Sequence, residues 1–548
     1  MRKFMSGIVV TITMAALVSE ASGQFFVESS QKISALAGGF GSGLDVNDEF
    51  GNSVLGIGDL DGDGIDDLLV GSPLDDAPGS ADVGAVWVLF RDAQGLVKSK
   101  AKITHGQAGI TLSAGDSLGL GLADLGPLTP GSDRVLAIGA HGDNAIWLVP
   151  IDTQGVPLTS WLIKEGQMGF LPNSLTSTSH FSLGIASLGQ LGGSFHLLMV
   201  SEPLANAGSG AFWVLELDSS LQVINQSSIA NPESDADTFG WTVANLGDID
   251  GPGGSATAVA VGAPLDDDGG TDRGAVWIYL LDQQGAELSR KKIVNLSCPG
   301  LSLSDNDRFG SYVAAAGDLD GDGVGDLLVS SLKTNGQGEI WILSLDASGS
   351  AVSCESFDAS APAFNGDIDP SDLFGRSVTV VSSEPASPTR DLTLAIGAYN
   401  DDDGGDKAGA VWVTSLADCP SAASWSTYCV GTPGTGGEPS IALSADPVIN
   451  TSTSLLISNP YGTPTIGVLL IGLGPASFPG LGGTICVLPL PAGLLFFTHL
   501  PGVTSLSFGI PGDAALCGVS LYVQAAYADP GGPSGKALTK GLQMVIGD

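Results

Sequence analysis

The sequence predicts an all-β protein in which a six-bladed β-propeller, with seven blades as the alternative count, is followed by a C-terminal β-sandwich-like domain. Three observations predict it. First, 79 Gly and 30 Pro in 548 residues imply many tight turns between short strands, while 14% charged against 43% hydrophobic residues exclude a disordered chain. Second, two landmarks recur six times along the chain. Third, a strand-like segment without a partner stands ahead of the first repeat, and the last repeat lacks its counterpart.

The first element in chain order is an export signal. "MRKFMSGIVVTITMAALVSEASGQ" opens basic at Arg2 and Lys3, is apolar from Met5 to Val18, and carries small residues at Ala21 and Gly23. Residues 1–23 are therefore expected to be a cleaved signal peptide, too short and wrongly flanked for a spanning helix. A secreted or cell-surface location follows, with no transmembrane segment after cleavage. Six cysteines, Cys298, Cys354, Cys419, Cys429, Cys486 and Cys517, favour disulfides in that compartment. Nearness in sequence suggests 298 with 354, 419 with 429, and 486 with 517. No CxxC occurs, which leaves a thiolate zinc site without support. The net charge of -39 repels phosphate backbones and anionic membranes, so it excludes nucleic acid and favours cations.

The repeats span 24–418. One landmark is Phe or Leu followed eight residues later by a small residue, from Phe50, Leu118, Phe181, Phe239, Phe309 and Phe374. The other is a Trp in an apolar run, usually after Gly-Ala, at Trp87, Trp147, Trp213, Trp277, Trp341 and Trp412. Each repeat reads as four short strands, with hairpin signals such as "DAQG" at 92 and "DASG" at 346 between the third and fourth. The Trp residues read as core packing rather than as a sugar-stacking platform. A fourth strand like "VKSKAKIT" (97–104) is missing after Trp412, and a match, "VESSQKIS" (27–34), stands alone at the start. That N-terminal strand is expected to complete the last blade and close the ring.

Within the first repeat, "GDLDGDGIDDLLVG" (58–71) sets Asp59, Asp61, Asp63 and Asp67 at loop positions 1, 3, 5 and 9, and the Ile65 carbonyl at position 7. A close copy, "GDLDGDGVGDLLVS" (317–330), sets Asp318, Asp320, Asp322 and Asp326 likewise, with the Val324 carbonyl. Alternate side chains of a curled loop converge on one point, glycines permit the turning, and hard oxygens at this spacing suit calcium ahead of magnesium. Repeat 4 keeps only Asp248 and Asp250 of this set, and whether it takes a third ion stays open. The ions' expected role is structural.

These landmarks resemble the FG-GAP repeats of the integrin alpha-chain N-terminal β-propeller. Phe-Gly stands at 50–51, 239–240, 309–310 and 374–375, and Gly-Ala-Pro at 262–264, with "GSP" at 71. The resemblance covers residues 26 to 418, and both acidic loops match that family's metal-binding loop. It departs in blade number, seven there against six here, and in the degenerate second and third repeats. It implies partner recognition on the face opposite the metal loops. There the sequence places Asp75, Asp76, Asp266, Asp267, Asp268, Asp401, Asp402 and Asp403, either a cation-bridged docking surface or a set of solvated turns.

Residues 419–430 read as a linker, and 431–548 as short apolar runs between Gly and Pro turns, the sandwich-like domain. No catalytic constellation emerges. "GDSLG" (115–119) matches GxSxG but precedes a strand without the required strand-turn-helix context, and His105, His141, His180, His196 and His499 form no metal-binding pattern. The expected function is that of a calcium-binding propeller acting as a binding or adhesion module for an extracellular protein or glycan, not catalysis. A secreted carbohydrate-active enzyme, hydrolase or lyase, and a structural envelope component are the alternatives.

Overall fold

The computed structural model describes residues 25–547 apart from 129–131, 173, 176–178, 191–194, 234, 250–255, 334–335, 337, 365–366, 384–391, 418–422, 449–451, 482, 489–493, 500–501 and 511–518. The expected signal peptide, Asp250, Cys419 and Cys517 lie outside the described residues. The chain divides into two compact units, Val27–Ala417 and one containing Asp418–Asp548.

The first unit is built of four-stranded antiparallel sheets, consistent with a β-propeller, and six of them lie among the described residues. Strand β1 (Phe26–Ile33) comes first, and β2 (Ser53–Gly58), β3 (Asp67–Ser72), β4 (Ala85–Arg91) and β5 (Val97–Thr104) form the sheet of the first repeat. β3 and β4 are buried at every position, whereas β5 exposes Lys98 and Ser99. Continuous apolar runs such as "AVWVLF" form strands because neighbouring sheets cover both of their faces.

The first strands of the six sheets, β2 followed by Leu118–Asp124, Ile185–Gly189, Val243–Asp248, Phe309–Gly317 and Phe374–Ser383, touch one another in order. The last also touches β2. All six line one cavity of about 290 Å³, with Val54, Leu122, Ile185, Val243, Val313 and Val378 among its walls. β1 joins the sixth sheet beside Ala410–Ala417, the strand of Trp412.

The two recurring landmarks are halves of one clamp between sheets. Phe50 bridges Gly409 across the junction of the last sheet with the first, and Gly84–Leu118, Gly210–Phe239 and Gly274–Phe309 repeat the bridge between successive sheets. At Gly409 φ is +86° and a Cβ would lie 2.1 Å from the Phe50 carbonyl oxygen, so only glycine fits. The Phe side chains at 50, 181, 239, 309 and 374 are fully buried, and the six repeat Trp residues nearly so, at 3–8% exposure. Edge-on contacts such as Phe309–Trp341 at 6.3 Å fill the space between sheets.

In the second unit, a three-stranded sheet (Ile441–Leu443, Ser452–Asn459, Gly502–Gly509) shares one core with a larger sheet through Ile457, Leu469, Phe497 and Val523. Two sequence expectations change here. Ser424–Tyr428, inside the stretch read as a linker, is a strand paired with Gly541–Val545. Cys429 is bonded to Cys486, 57 residues away, which overturns both local pairings in this region, whereas Cys298 pairs with Cys354 as expected. The reason is topological: Cys429 ends a sheet-edge strand whose Tyr428 hydroxyl donates to the Cys486 carbonyl at 2.6 Å.

Candidate metal centres

Each acidic loop joins the first and second strands of its sheet, and its own carboxylates shape it. Asp59 accepts the backbone N–H groups of Gly62 (2.7 Å), Asp63 (3.0 Å) and Gly64 (2.8 Å). Asp318 accepts those of Gly321 (2.8 Å) and Gly323 (3.0 Å). These glycines have φ between +80° and +90°, and that left-handed backbone lets the loop curl back on its first carboxylate.

The loops bring together three carboxylates each. Oxygens of Asp59, Asp61 and Asp67 lie within 4.8 Å of one another, and so do those of Asp318, Asp320 and Asp326. Asp63 and Asp322 stand outside these trios. Each accepts the N–H two residues on, from Ile65 at 2.9 Å and Val324 at 2.8 Å, an Asx turn that fixes the backbone whose carbonyl was expected to serve as a ligand. The all-carboxylate oxygen sets have the donor chemistry that hard cations such as calcium require.

The ninth-position aspartates are the buried members. Asp67 accepts N–H groups from Leu60 (3.1 Å) and Arg91 (3.0 Å), and Asp326 from Leu319 (2.8 Å) and Leu345 (3.0 Å). Each therefore ties its loop to the end of the third strand. Burial pushes Asp326 up to about 7, against the lowering effect of its two backbone bonds.

One difference between the loops escaped the sequence reading. Lys98 on β5 is ion-paired with Asp61 at 2.8 Å and also with Asp63. The register that pairs Arg91 with Val97 pairs Leu345 with Ala351, so Val352 occupies the matching place beside the second loop. The first loop carries a built-in ammonium; among the described residues the second pairs with none. Asp248 of the fourth repeat joins no three-carboxylate group among the described residues.

On the opposite face the acidic turns divide in two. Asp75, Asp266 and Asp401 are only 1–2% exposed. They pair with Lys102 (2.6 Å), Lys292 (2.6 Å) and Lys32 (2.5 Å). Each lysine also lies over the repeat Trp, at 4.9 Å from the Trp87 ring, 5.3 Å from Trp277 and 5.5 Å from Trp412. These three acids are struts between strands and are withdrawn from the docking surface the sequence suggested. Asp267, Asp268, Asp402 and Asp403 stay at the surface. Ser117 of "GDSLG" is buried at φ +52°, its hydroxyl donating to the Gly115 carbonyl at 3.4 Å.

Beside the struts, burial pushes Asp48 up to about 7 and Asp237 and Asp372 up to about 6, with the neighbouring strut carboxylate adding to each rise. A carboxyl whose folded pKa exceeds its unfolded value of about 3.9 binds more protons in the native state, so its contribution is present at low pH and lost as pH rises through 6 to 7. His141, held at about 4 by burial and then by His180, acts oppositely between about 6.5 and 4. With Asp326, four raised carboxyls outweigh His141 and His196, the second of which burial also lowers. With chelator present, the melting temperature is expected to be higher at pH 5.5 than at pH 8; a lower value at pH 5.5 would show that these carboxyls are not buried as described.

The FG-GAP repeat family matches residues 50–89 and 309–343, the two repeats that carry the complete acidic loops. Integrin alpha-PS5 of Drosophila melanogaster is 34% identical over 108 residues, 19% of this chain and 10% of that protein. A crystal structure of a DUF4221 family member from Bacteroides vulgatus aligns with 72% of this chain and 98% of its own at 10% identity, with a TM-score of 0.35. The chain therefore carries two FG-GAP repeats, at 50–89 and 309–343, and resembles the integrin alpha-chain β-propeller.

Proposed function

We propose that this chain is an extracellular, calcium-stabilised six-bladed propeller with a C-terminal β-sandwich, acting as a binding or adhesion module for a protein or glycan rather than as an enzyme. The observation that carries the reading is the pair of matched carboxylate trios in the two loops of the FG-GAP matches. Asp59, Asp61 and Asp67 would hold one ion, and Asp318, Asp320 and Asp326 the other. The ion supplies positive charge that cancels the mutual repulsion of three carboxylates, and the residues fix the loop for it. An ion that binds only the folded state stabilises by about 2.7 kcal/mol at a hundredfold excess over its Kd. Disulfides and FG-GAP repeats are compatible with an extracellular setting, and among the described residues no helix is long and apolar enough to cross a membrane.

Calorimetric titration of chelator-stripped protein is expected to show two calcium ions bound with unequal affinity. The first loop should be the weaker, because Lys98 competes for Asp61, and Lys98→Met should narrow the gap. Absence of calcium uptake, or a melting curve indifferent to EDTA, sinks the proposal. Protein and glycan arrays probed with and without EDTA then test the binding role, and hydrolysis or lyase products from polysaccharides would replace it with the enzymatic alternative.

A further inference from the structure

A second cavity, of about 680 Å³, is walled by segments that lead into the first strands and out of the second strands of the first, fourth, fifth and sixth sheets. The residue directly after each Phe-Gly pair enters its lining: Asn52, Trp241, Ser311 and Arg376. Its charge is the inverse of the chain's. In a protein with 20 Lys+Arg against 59 Asp+Glu, this wall gathers Arg308, Lys333 and Arg376 against one carboxylate, Glu49.

The groups are not equally engaged. Lys333 is paired with Glu339 at 2.8 Å, and Glu49 accepts from the Asn52 amide at 2.8 Å. Arg376 has no ion pair and no side-chain hydrogen bond among the described residues; its guanidinium carbon lies 5.9 Å from the centre of the Tyr399 ring. Burial lowers its pKa from the ordinary arginine value, though the group remains charged at any physiological pH. Glu49 is a counter-charge in the same wall but forms no ion pair with it among the described residues, so the half-buried guanidinium keeps its N–H donors open to an incoming anion. A planar guanidinium answers a carboxylate best, through two parallel N–H···O bonds. The rest of the wall joins the aromatic faces of Trp241 and Tyr399 to the polar groups of Asn52, Thr238 and Ser311, the mixture that suits a hydroxylated ring.

We propose that this cavity binds a hexuronate, with the sugar carboxylate on Arg376 and its ring against the aromatic wall. The inference deepens the binding-module reading, on which it rests, but uses none of the calcium-loop residues. The unit is taken either free or as the end of a uronate chain, and the test distinguishes the two.

Titration calorimetry of the full chain in calcium with glucuronate, galacturonate, their methyl esters, the parent neutral sugars and a tri-galacturonide is the experiment. The acids are expected to bind about ten- to a hundredfold more tightly than their esters, since a charge-assisted pair is lost on esterification. Arg376→Gln should remove that preference, and Trp241→Ala, a second variant, should weaken acid and ester alike. Tighter binding of the trisaccharide than of the monosaccharide assigns a chain end; equal binding assigns the free sugar. Acid and ester binding alike, or a preference that survives Arg376→Gln in folded protein, overturns the proposal. If no uronate binds while the arrays identify another ligand, this inference falls and the binding-module reading stands.

Discussion

Replacing Lys32 with Met is expected to destabilise the ring by about 3 to 5 kcal/mol, the range for removing one member of a buried ion pair. Lys32 stands on β1, the strand that joins the beginning of the chain to its sixth sheet, with its ammonium 2.5 Å from both Asp401 and Asp403. Asp401 is 1% exposed, and without the lysine it becomes a buried carboxylate facing a second one, Asp372. Because β1 is the sixth sheet's last strand, the loss falls on closure of the whole unit rather than on one hairpin. Unfolding should begin at this junction, read as faster hydrogen exchange in Ala410–Ala417 than in β4, its equivalent in the first sheet. Asp401→Asn keeps the acceptor for the Asp403 N–H, 3.0 Å away, and removes the charge, so Lys32→Met with Asp401→Asn should recover most of the loss. A single variant as stable as the parent, or a double no better than the single, would show that the pair does not hold the ring shut.

Much of this architecture was legible because repeats write the same physical constraint several times. Phe50, Phe239 and Phe309 follow one another at intervals that no single helix or hairpin imposes, and the structure shows why: each meets the glycine that opens a Trp strand of the preceding sheet. The acidic loops were legible for the same reason, since two copies of one spacing are harder to produce by chance than one. Contacts between side chains far apart in sequence stayed hidden, even where they recur. Asp75, Asp266 and Asp401 look like their exposed neighbours in sequence, and only the lysine arriving from the fourth strand, or from β1 in the last case, withdraws them from the surface. Lys98 occurs beside one loop only. Arg376 follows a Phe-Gly pair, a position occupied by Asn52, Trp241 and Ser311 elsewhere. That lack of agreement is itself the available signal, because the backbone is repeated there while the side chain is free to vary toward a ligand. The cystine of Cys429 was missed because nearness in sequence pointed to Cys419, whereas its partner Cys486 lies across a sheet edge.

Asp326→Ala is expected to lower stability both with and without calcium, and so to separate the structural role of a loop carboxylate from its role as a ligand. Its side chain is fully buried and accepts two backbone N–H groups, from Leu319 at 2.8 Å and Leu345 at 3.0 Å. Alanine leaves both donors unsatisfied at about 1–3 kcal/mol each, or roughly 2 to 6 kcal/mol together. Relief of the desolvated charge, whose pKa burial holds at about 7, returns part of that in chelator, and loss of the ion removes a further increment in calcium. Asp320→Asn provides the contrast: Asp320 is an exposed member of the same trio, so in chelator the change should leave the melting temperature almost unmoved, while in calcium it should lower it. The two variants therefore diverge most when no metal is present. Equal melting temperatures for Asp326→Ala and the parent in EDTA would mean that the ninth aspartate is only a ligand, and that the loop is held to the third strand by something other than its carboxylate.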